Sequence, residues 1–234
     1  MKRRIIVWLA IIAMLITSVL LINYKTVERW LIGSYQPKIT ATTTKQAERK
    51  PANYNYDVAK QPTWTDILKA RQHANQVATV GVIAIPSINL YLPIGKGVSN
   101  TVLALAVGTM RSDQVMGDGN YALAGHNMDD GRTLFSPLYS KGQAGQMVYL
   151  TNFRKVYAYQ FVSRETIAPT EVSVVANTTD PVITLITCDY TGSHRIFLRG
   201  KLVKTYTYAK TPDKIKTALT HRECQECCVK KETS

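Results

Sequence analysis

The sequence predicts a mainly β domain, closed or nearly closed into a barrel, carried behind one N-terminal membrane-spanning helix. Three observations predict it. From Ala78 onward the chain is a series of short β-branched runs separated by turn clusters such as MGDGN and DYTGSH. Many short strands with few helices hide their exposed edges by closing on themselves. Residues 5–22, IIVWLAIIAMLITSVLLI, carry no charge in eighteen positions, which at about 1.5 Å per residue nearly crosses a hydrocarbon core.

The basic stretch MKRR precedes that run. Positive charges stay in the cytoplasm, so the rest of the chain goes outward. A cleaved signal peptide has a shorter apolar region and a small-x-small cleavage site. NYKTVERW follows here, so an uncleaved anchor over 5–23 is expected. Residues 35–62 are polar, with Thr, Lys and three prolines. They cannot bury much apolar surface, and 24–62 reads as an extracytoplasmic tether. TWTDILKARQHANQ (63–76) reads as an amphipathic helix capped by Thr65, with His73 given no role. The strands follow as VGVIAIP (80–86), INLYLPI (88–94), YALAGH (121–126), QMVYLT (146–151), KVYAYQFVSRETI (155–167), VITLITC (182–188) and RIFLRGKLV (195–203). SNTVLALAVGTM (99–110) supplies a helical turn between strands. The folded domain is placed at 63–207, and 208–234 reads as a flexible tail behind it.

Lys and Arg outnumber Asp and Glu by 29 to 16, a formal charge of +13. An anionic neighbour is implied, whether lipid headgroups, a polyanionic wall polymer or nucleic acid, and a surface beside an anionic membrane is the plainest reading. No aromatic-plus-basic RNA motif or zinc-finger spacing supports nucleic acid as a partner. The four cysteines are Cys188, Cys224, Cys227 and Cys228, so Cys188 is alone in the body of the domain and has no disulfide partner there.

Three side chains bear chemistry. In VITLITC, Ile183, Leu185 and Thr187 face one way while Thr184, Ile186 and Cys188 face the other. Cys188 lies at the strand's C-terminal lip, before a turn. A lone cysteine in such a run is ordinarily inert; a nucleophile needs an imidazole and a positive charge nearby. His126 ends YALAGH after a glycine, where acid–base work is possible, although a turn histidine alone carries little weight. Arg195 opens the strand after the six-residue turn, opposite Cys188 across a hairpin mouth, where it can hold an anionic oxygen. His194 is a rival base, but it sits inside the turn.

TLITC followed seven residues later by the arginine of RIFLRG, with LAGH about sixty residues upstream, resembles the class A sortases over roughly Val80 to Val203. The resemblance implies a closed eight-stranded β-barrel with a few short helices. It implies a cysteine transpeptidase on the outer face of a Gram-positive cell membrane, single-pass, with its N-terminus cytoplasmic. Its substrates would be surface proteins cut at an LPXTG-type signal between Thr and Gly, and its acceptor the amine of the cell-wall precursor lipid II. By motif position Cys188 is the nucleophile, His126 the general acid/base and Arg195 the oxyanion and substrate stabiliser. Thiolate and imidazolium would coexist as a minor population.

The segment APTEVSVVANTTDP (168–181) falls where the family has its substrate loop. Val172, Val174 and Val175 then face the Leu-Pro part of the signal, with Val98, Met110 and Ile186 as a floor and Thr187 as a further contact. Packing explains each equally well. Some class A members bind calcium with acidic side chains from two loops. The matching positions here are Arg111, Gln114, Asp118 and Asn177, of which one is acidic, so no cofactor and calcium-independent activity are expected. His221, Cys224, Cys227 and Cys228 have spacing that suits zinc, but no second binding pair accompanies them, and a polar tail with incidental thiols is the plainer reading. Two other readings compete: a membrane-tethered cysteine peptidase that hydrolyses rather than transfers, and a non-catalytic surface module whose tail binds metal. Papain-like enzymes place Cys before His, which is not the order here.

Overall fold

The computed structural model describes residues 2–55 and 61–220. Eight strands close into a barrel: β1 (Thr79–Ile85), β2 (Leu90–Gly95), β3 (Val107–Thr109), β4 (Asn120–Ala124), β5 (Met147–Thr151), β6 (Lys155–Ile167), β7 (Val182–Cys188) and β8 (Arg195–Thr207). The order around the barrel is β1-β2-β3-β4-β7-β8-β6-β5, closing on β1. β2 with β3 and β4 with β7 run parallel; the other neighbours run antiparallel. Closure leaves no free sheet edge to recruit another chain.

Strand alternation divides the apolar residues into two sets. Ile83, Ile85, Leu123, Leu150, Tyr159, Phe161, Ile183, Leu185 and Leu198 fill the barrel. Ala122, Ile186 and Phe197, on the opposite faces of their strands, form a second cluster with Val98, Leu103, Met110, Ile167 and Val175 outside it. That outer cluster is the floor on which the site is built.

The helices are α1 (Lys2–Ile22), α2 (Tyr24–Gly33), α3 (Ala41–Glu48), α4 (Trp64–Gln72), α5 (Asn100–Leu105), α6 (Ser136–Lys141) and α7 (Asp213–Thr220). The turn expected in 99–110 is α5, capped by Ser99, followed by β3. The first helix of the domain is capped by Thr63, not Thr65. The Thr63 hydroxyl accepts the Asp66 N–H while the Asp66 carboxylate accepts the Thr63 N–H, a reciprocal pair that Thr65 has no acidic partner to make.

The stretch read as a free tether is partly folded. A Thr40–Thr43 capping box starts α3. Thr44 is fully buried and its hydroxyl donates to the Asn152 carbonyl across the barrel surface. Further on, Val98 N–H donates to the Asn53 carbonyl at 2.7 Å. Gly97 (φ 80°) permits that approach, since a Cβ there would lie 2.4 Å from the same oxygen.

The segment 208–220 is likewise ordered, as a 3₁₀ turn and α7. Leu219 is fully buried with Val82, Ala84 and Val156. Burial of one leucine contributes roughly 1.5–3 kcal/mol, which is why this short polar helix stays on the barrel. His221, Cys224, Cys227 and Cys228 lie outside the described residues. Among the described residues, no single helix is long and apolar enough to cross a membrane; Arg4–Val19 and Tyr24–Gly33 meet that test together, with a 71° bend between them.

Candidate active site

The register of three strands sets the site. β4 and β7 run parallel with Ala124 opposite Ile186, and the Gly125 N–H continues the ladder to the Ile186 carbonyl at 3.1 Å. Extended two residues past the end of β4, the same register sets His126 level with Cys188, and both side chains line one cavity. On the other side of β7, Cys188 pairs directly with Arg195 of β8, and Arg195 pairs in turn with Ile167 of β6. His126, Cys188, Arg195 and Ile167 therefore form one row across the barrel's rim, with neighbouring strands about 4.8 Å apart.

Gly125 is needed at the turn out of β4. A Cβ there would lie 2.7 Å from the ring of Phe135, which is fully buried. The close packing holds the chain against that ring just before His126. Beyond it, the His126 carbonyl accepts the Phe135 N–H at 2.9 Å, and the Asn127 amide donates to the Cys188 carbonyl at 3.3 Å. The histidine is thus tied on one side to its own returning loop and on the other to the cysteine strand.

Burial governs the charges. His126 is 6% exposed, and that burial pushes its pKa down to about 4. Burial also pushes the Cys188 thiol up; the Arg195 charge opposes this, and Asp189 and Asp129 add to it. Both shifts favour the uncharged forms, a neutral thiol and a neutral imidazole. Arg195 Nη1 donates to the carbonyls of Gly192 and His194 at 3.0 and 3.1 Å, so the turn itself anchors the guanidinium. His194 contacts Asp189 in the turn at 3.4 Å and does not line the cavity beside Cys188.

Cys188, His126 and Arg195 all stand in the wall of one cavity at the end of β7. Met110, Val172, Val174, Val175, Ile186 and Thr187 line it too. Val98 does not; it lies 2% exposed within the apolar floor beneath. Thr187 shares the β7 face of Ile183 and Leu185, so its side chain points inward and its backbone borders the cavity. The sequence reading missed Leu103, Ala124, Ile167, Ala168, Pro169 and Glu171 in the lining. Ala168, Pro169 and Glu171 nonetheless fall in the 168–181 segment that the family resemblance marked as the substrate loop.

The wall made by 168–181 is held by barrel side chains that donate to its carbonyls. Arg111 Nη1 donates to Val175 at 2.8 Å and to Asn120 at 3.1 Å. The Asn120 amide donates to Val174 and Ala176, and Arg199 Nη2 to Val174 at 2.7 Å. Asn177 Oδ1 accepts the Asn120 N–H. Arg111, which also pairs with Asp113 at 2.9 Å, thus places a guanidinium between the two loops.

A sortase domain model matches residues 83–203. Sortase A of Listeria monocytogenes is 40% identical over 172 residues, 73% of this chain and 77% of that one. Sortase A of Streptococcus agalactiae is 30% identical over 227 residues, 92% of each chain. The crystal structure of the Listeria monocytogenes enzyme superposes with a TM-score of 0.56 at 42% identity, covering 60% of this chain and 96% of that one. Sortase C-3 of Streptococcus pneumoniae, 23% identical with a TM-score of 0.56 over 85% of this chain and 89% of that one, shares the fold. The chain belongs to the sortase family, as a class A sortase, a cysteine transpeptidase of the kind that anchors surface proteins.

Proposed function

We propose that this enzyme cleaves an LPXTG-type sorting signal between Thr and Gly and transfers the acyl group to the amine of lipid II, using Cys188, His126 and Arg195. The observation that carries the reading is the single row these residues form beside an apolar groove. Cys188 Sγ, as thiolate, adds to the Thr carbonyl carbon, and the negative charge moves to the oxygen. Arg195 stabilises that charge as it grows, which is where binding accelerates a reaction. The C–N bond to Gly breaks, and His126 as imidazolium protonates the departing amine, leaving a thioester. The incoming amine attacks the thioester and gives its proton to His126; the C–S bond then breaks and the thiolate returns.

Met110, Val172, Val174, Val175 and Ile186 offer apolar surface to the Leu-Pro part of the signal, with Val98 supporting them from below. The chain sits in the cell membrane through α1, its N-terminus cytoplasmic and its barrel on the outer face; the charged start and the eighteen uncharged residues support this. The loop that calcium would brace is already braced by Arg111, whose charge also repels a cation, so activity is calcium-independent. Calcium added to chelated enzyme should change the rate less than about twofold; a rise of several-fold contradicts this.

The test uses the full chain in detergent micelles with a quenched LPXTG peptide, with and without an amine acceptor. Cleavage at Thr-Gly with acceptor joined to the Thr carboxyl is expected. Product lacking acceptor at every acceptor concentration would favour the hydrolase reading.

A further inference from the structure

α2 is more than a spacer between the apolar helix and the barrel. It turns 71° from the preceding helix and lays one face on the loop that leaves His126. Arg29 Nε lies 3.1 Å from Asp130 Oδ2, and the Asp130 side chain is only 6% exposed. One turn on, Ile32 is buried with Leu134 of the same loop and Ile67 of α4. Lys25 and Glu28 face Met128, Asp129 and Thr133 across the same narrow cleft.

This loop requires bracing. Asp129 (φ 55°) and Leu134 (φ 49°) both adopt the left-handed conformation without being glycine. Aspartate visits that region readily, but a bulky leucine stays there only when its surroundings over-determine it. Asp130 supplies part of that from within. Its Oδ1 accepts the N–H groups of Arg132 and Thr133, and its Oδ2 the Thr133 hydroxyl. Burial works against ionisation of Asp130, but these donors outweigh it and hold the carboxyl below its ordinary value. The result is a nearly buried carboxylate, and such a group calls for a counterion. Arg29 provides one from outside the barrel. The brace bears on the histidine directly, because the residue after Leu134 is Phe135, whose N–H closes the loop on the His126 carbonyl.

We infer that α2 is a positioning element of the active site: through Arg29 on Asp130 and Ile32 on Leu134, the membrane-proximal helix sets the placement of His126. The inference rests on His126 acting as the acid–base group proposed above. Arg29 and Ile32 do not line the substrate cavity, and the substrate wall is held by a separate set of donors. The brace should therefore govern kcat and leave KM nearly alone.

The experiment compares the full chain in micelles with its Arg29→Ala, Arg29→Lys and Ile32→Ala variants, reading peptide transfer and amide hydrogen exchange. Arg29→Ala should lower kcat about tenfold, since a displacement of about 1 Å at a reacting group can cost up to a hundredfold. KM should stay within about twofold, and Arg29→Lys should restore most of the rate. Exchange should quicken at 127–135 and remain unchanged at 168–181. Ile32→Ala should reproduce the pattern without removing a charge. An unchanged kcat with unchanged exchange at 127–135 overturns the inference, as does loosening spread over the whole barrel. His126→Ala, run alongside, separates the two claims: if that variant remains active, the acid–base reading fails, while the exchange at 127–135 still reports on the brace.

Discussion

The two loops that flank Cys188 are held by opposite means. The 168–181 wall is fixed from the barrel, by Arg111, Asn120 and Arg199 donating to its carbonyls. The 127–135 loop is fixed by its own carboxylate, Asp130, which turns outward to a helix that precedes the domain. The 168–181 side of the site is thus held from within the barrel, while the His126 side is touched by a helix that precedes the domain. Binding and chemistry can therefore be disturbed separately, from different parts of the chain.

The largest effect that sharpens the comparison comes from the row between the loops. Cys188→Ala and His126→Ala should each lower transfer by at least about 10³-fold, and the double variant little further, because groups that act as a unit are not additive. Peptide turnover by the purified variants checks this, and multiplying losses would mean the two residues act independently.

The pH profile comes next. On the proposed mechanism the active form needs thiolate and imidazolium together. Between the lowered His126 pKa of about 4 and the raised thiol pKa, the thiolate fraction rises tenfold per pH unit as the imidazolium fraction falls tenfold. Their product is constant, so kcat/KM should be flat across neutral pH. It should fall toward acid below about 4, where the imidazole is fully charged and thiolate still declines, and fall toward alkali above the thiol pKa. An acid limb that begins near pH 6.5 instead would indicate an imidazole with an ordinary pKa.

The smallest effect tests the substrate side. Arg111→Ala removes charge-assisted bonds worth roughly 1.5–3 kcal/mol each in favourable settings. Part of the loop's support remains with Asn120 and Arg199, so an increase in KM of about tenfold is expected, with kcat little changed. Initial-rate kinetics over a range of peptide concentrations decide it; a drop confined to kcat would erase the distinction between the loops.

Much of the barrel was legible because the strands' own periodicity carries it. The limits of 155–167 and 182–188 coincide with β6 and β7, and the alternation of Ile183 and Leu185 against Ile186 and Cys188 matches the split between the interior and the groove floor. The helices α2, α3 and α7 were not legible. Helices of eight to ten residues are marginal alone and form here because tertiary contacts hold them: Ile32 on Leu134, Thr44 on Asn152, Leu219 on Val82. The site was legible in part. Cys188 and Arg195 share a hairpin, so sequence distance predicts proximity, and the resemblance supplied His126. Ala168, Pro169 and Glu171 lie in a loop whose course depends on Arg111 and Asn120, long-range partners that no local pattern reveals. Val98 was apolar as expected but lies below the cavity wall.

The claim on which the mechanism turns is that acyl transfer passes through a thioester on Cys188. Intact-mass analysis of the full chain, mixed with LPXTG peptide in the absence of acceptor and quenched in acid, tests it most directly. The account predicts a mass increase equal to the acyl fragment ending in Thr, located on the peptide containing Cys188 and discharged when the amine is added before quenching. Transfer product forming with no such adduct, or an adduct that persists in Cys188→Ala, would contradict it.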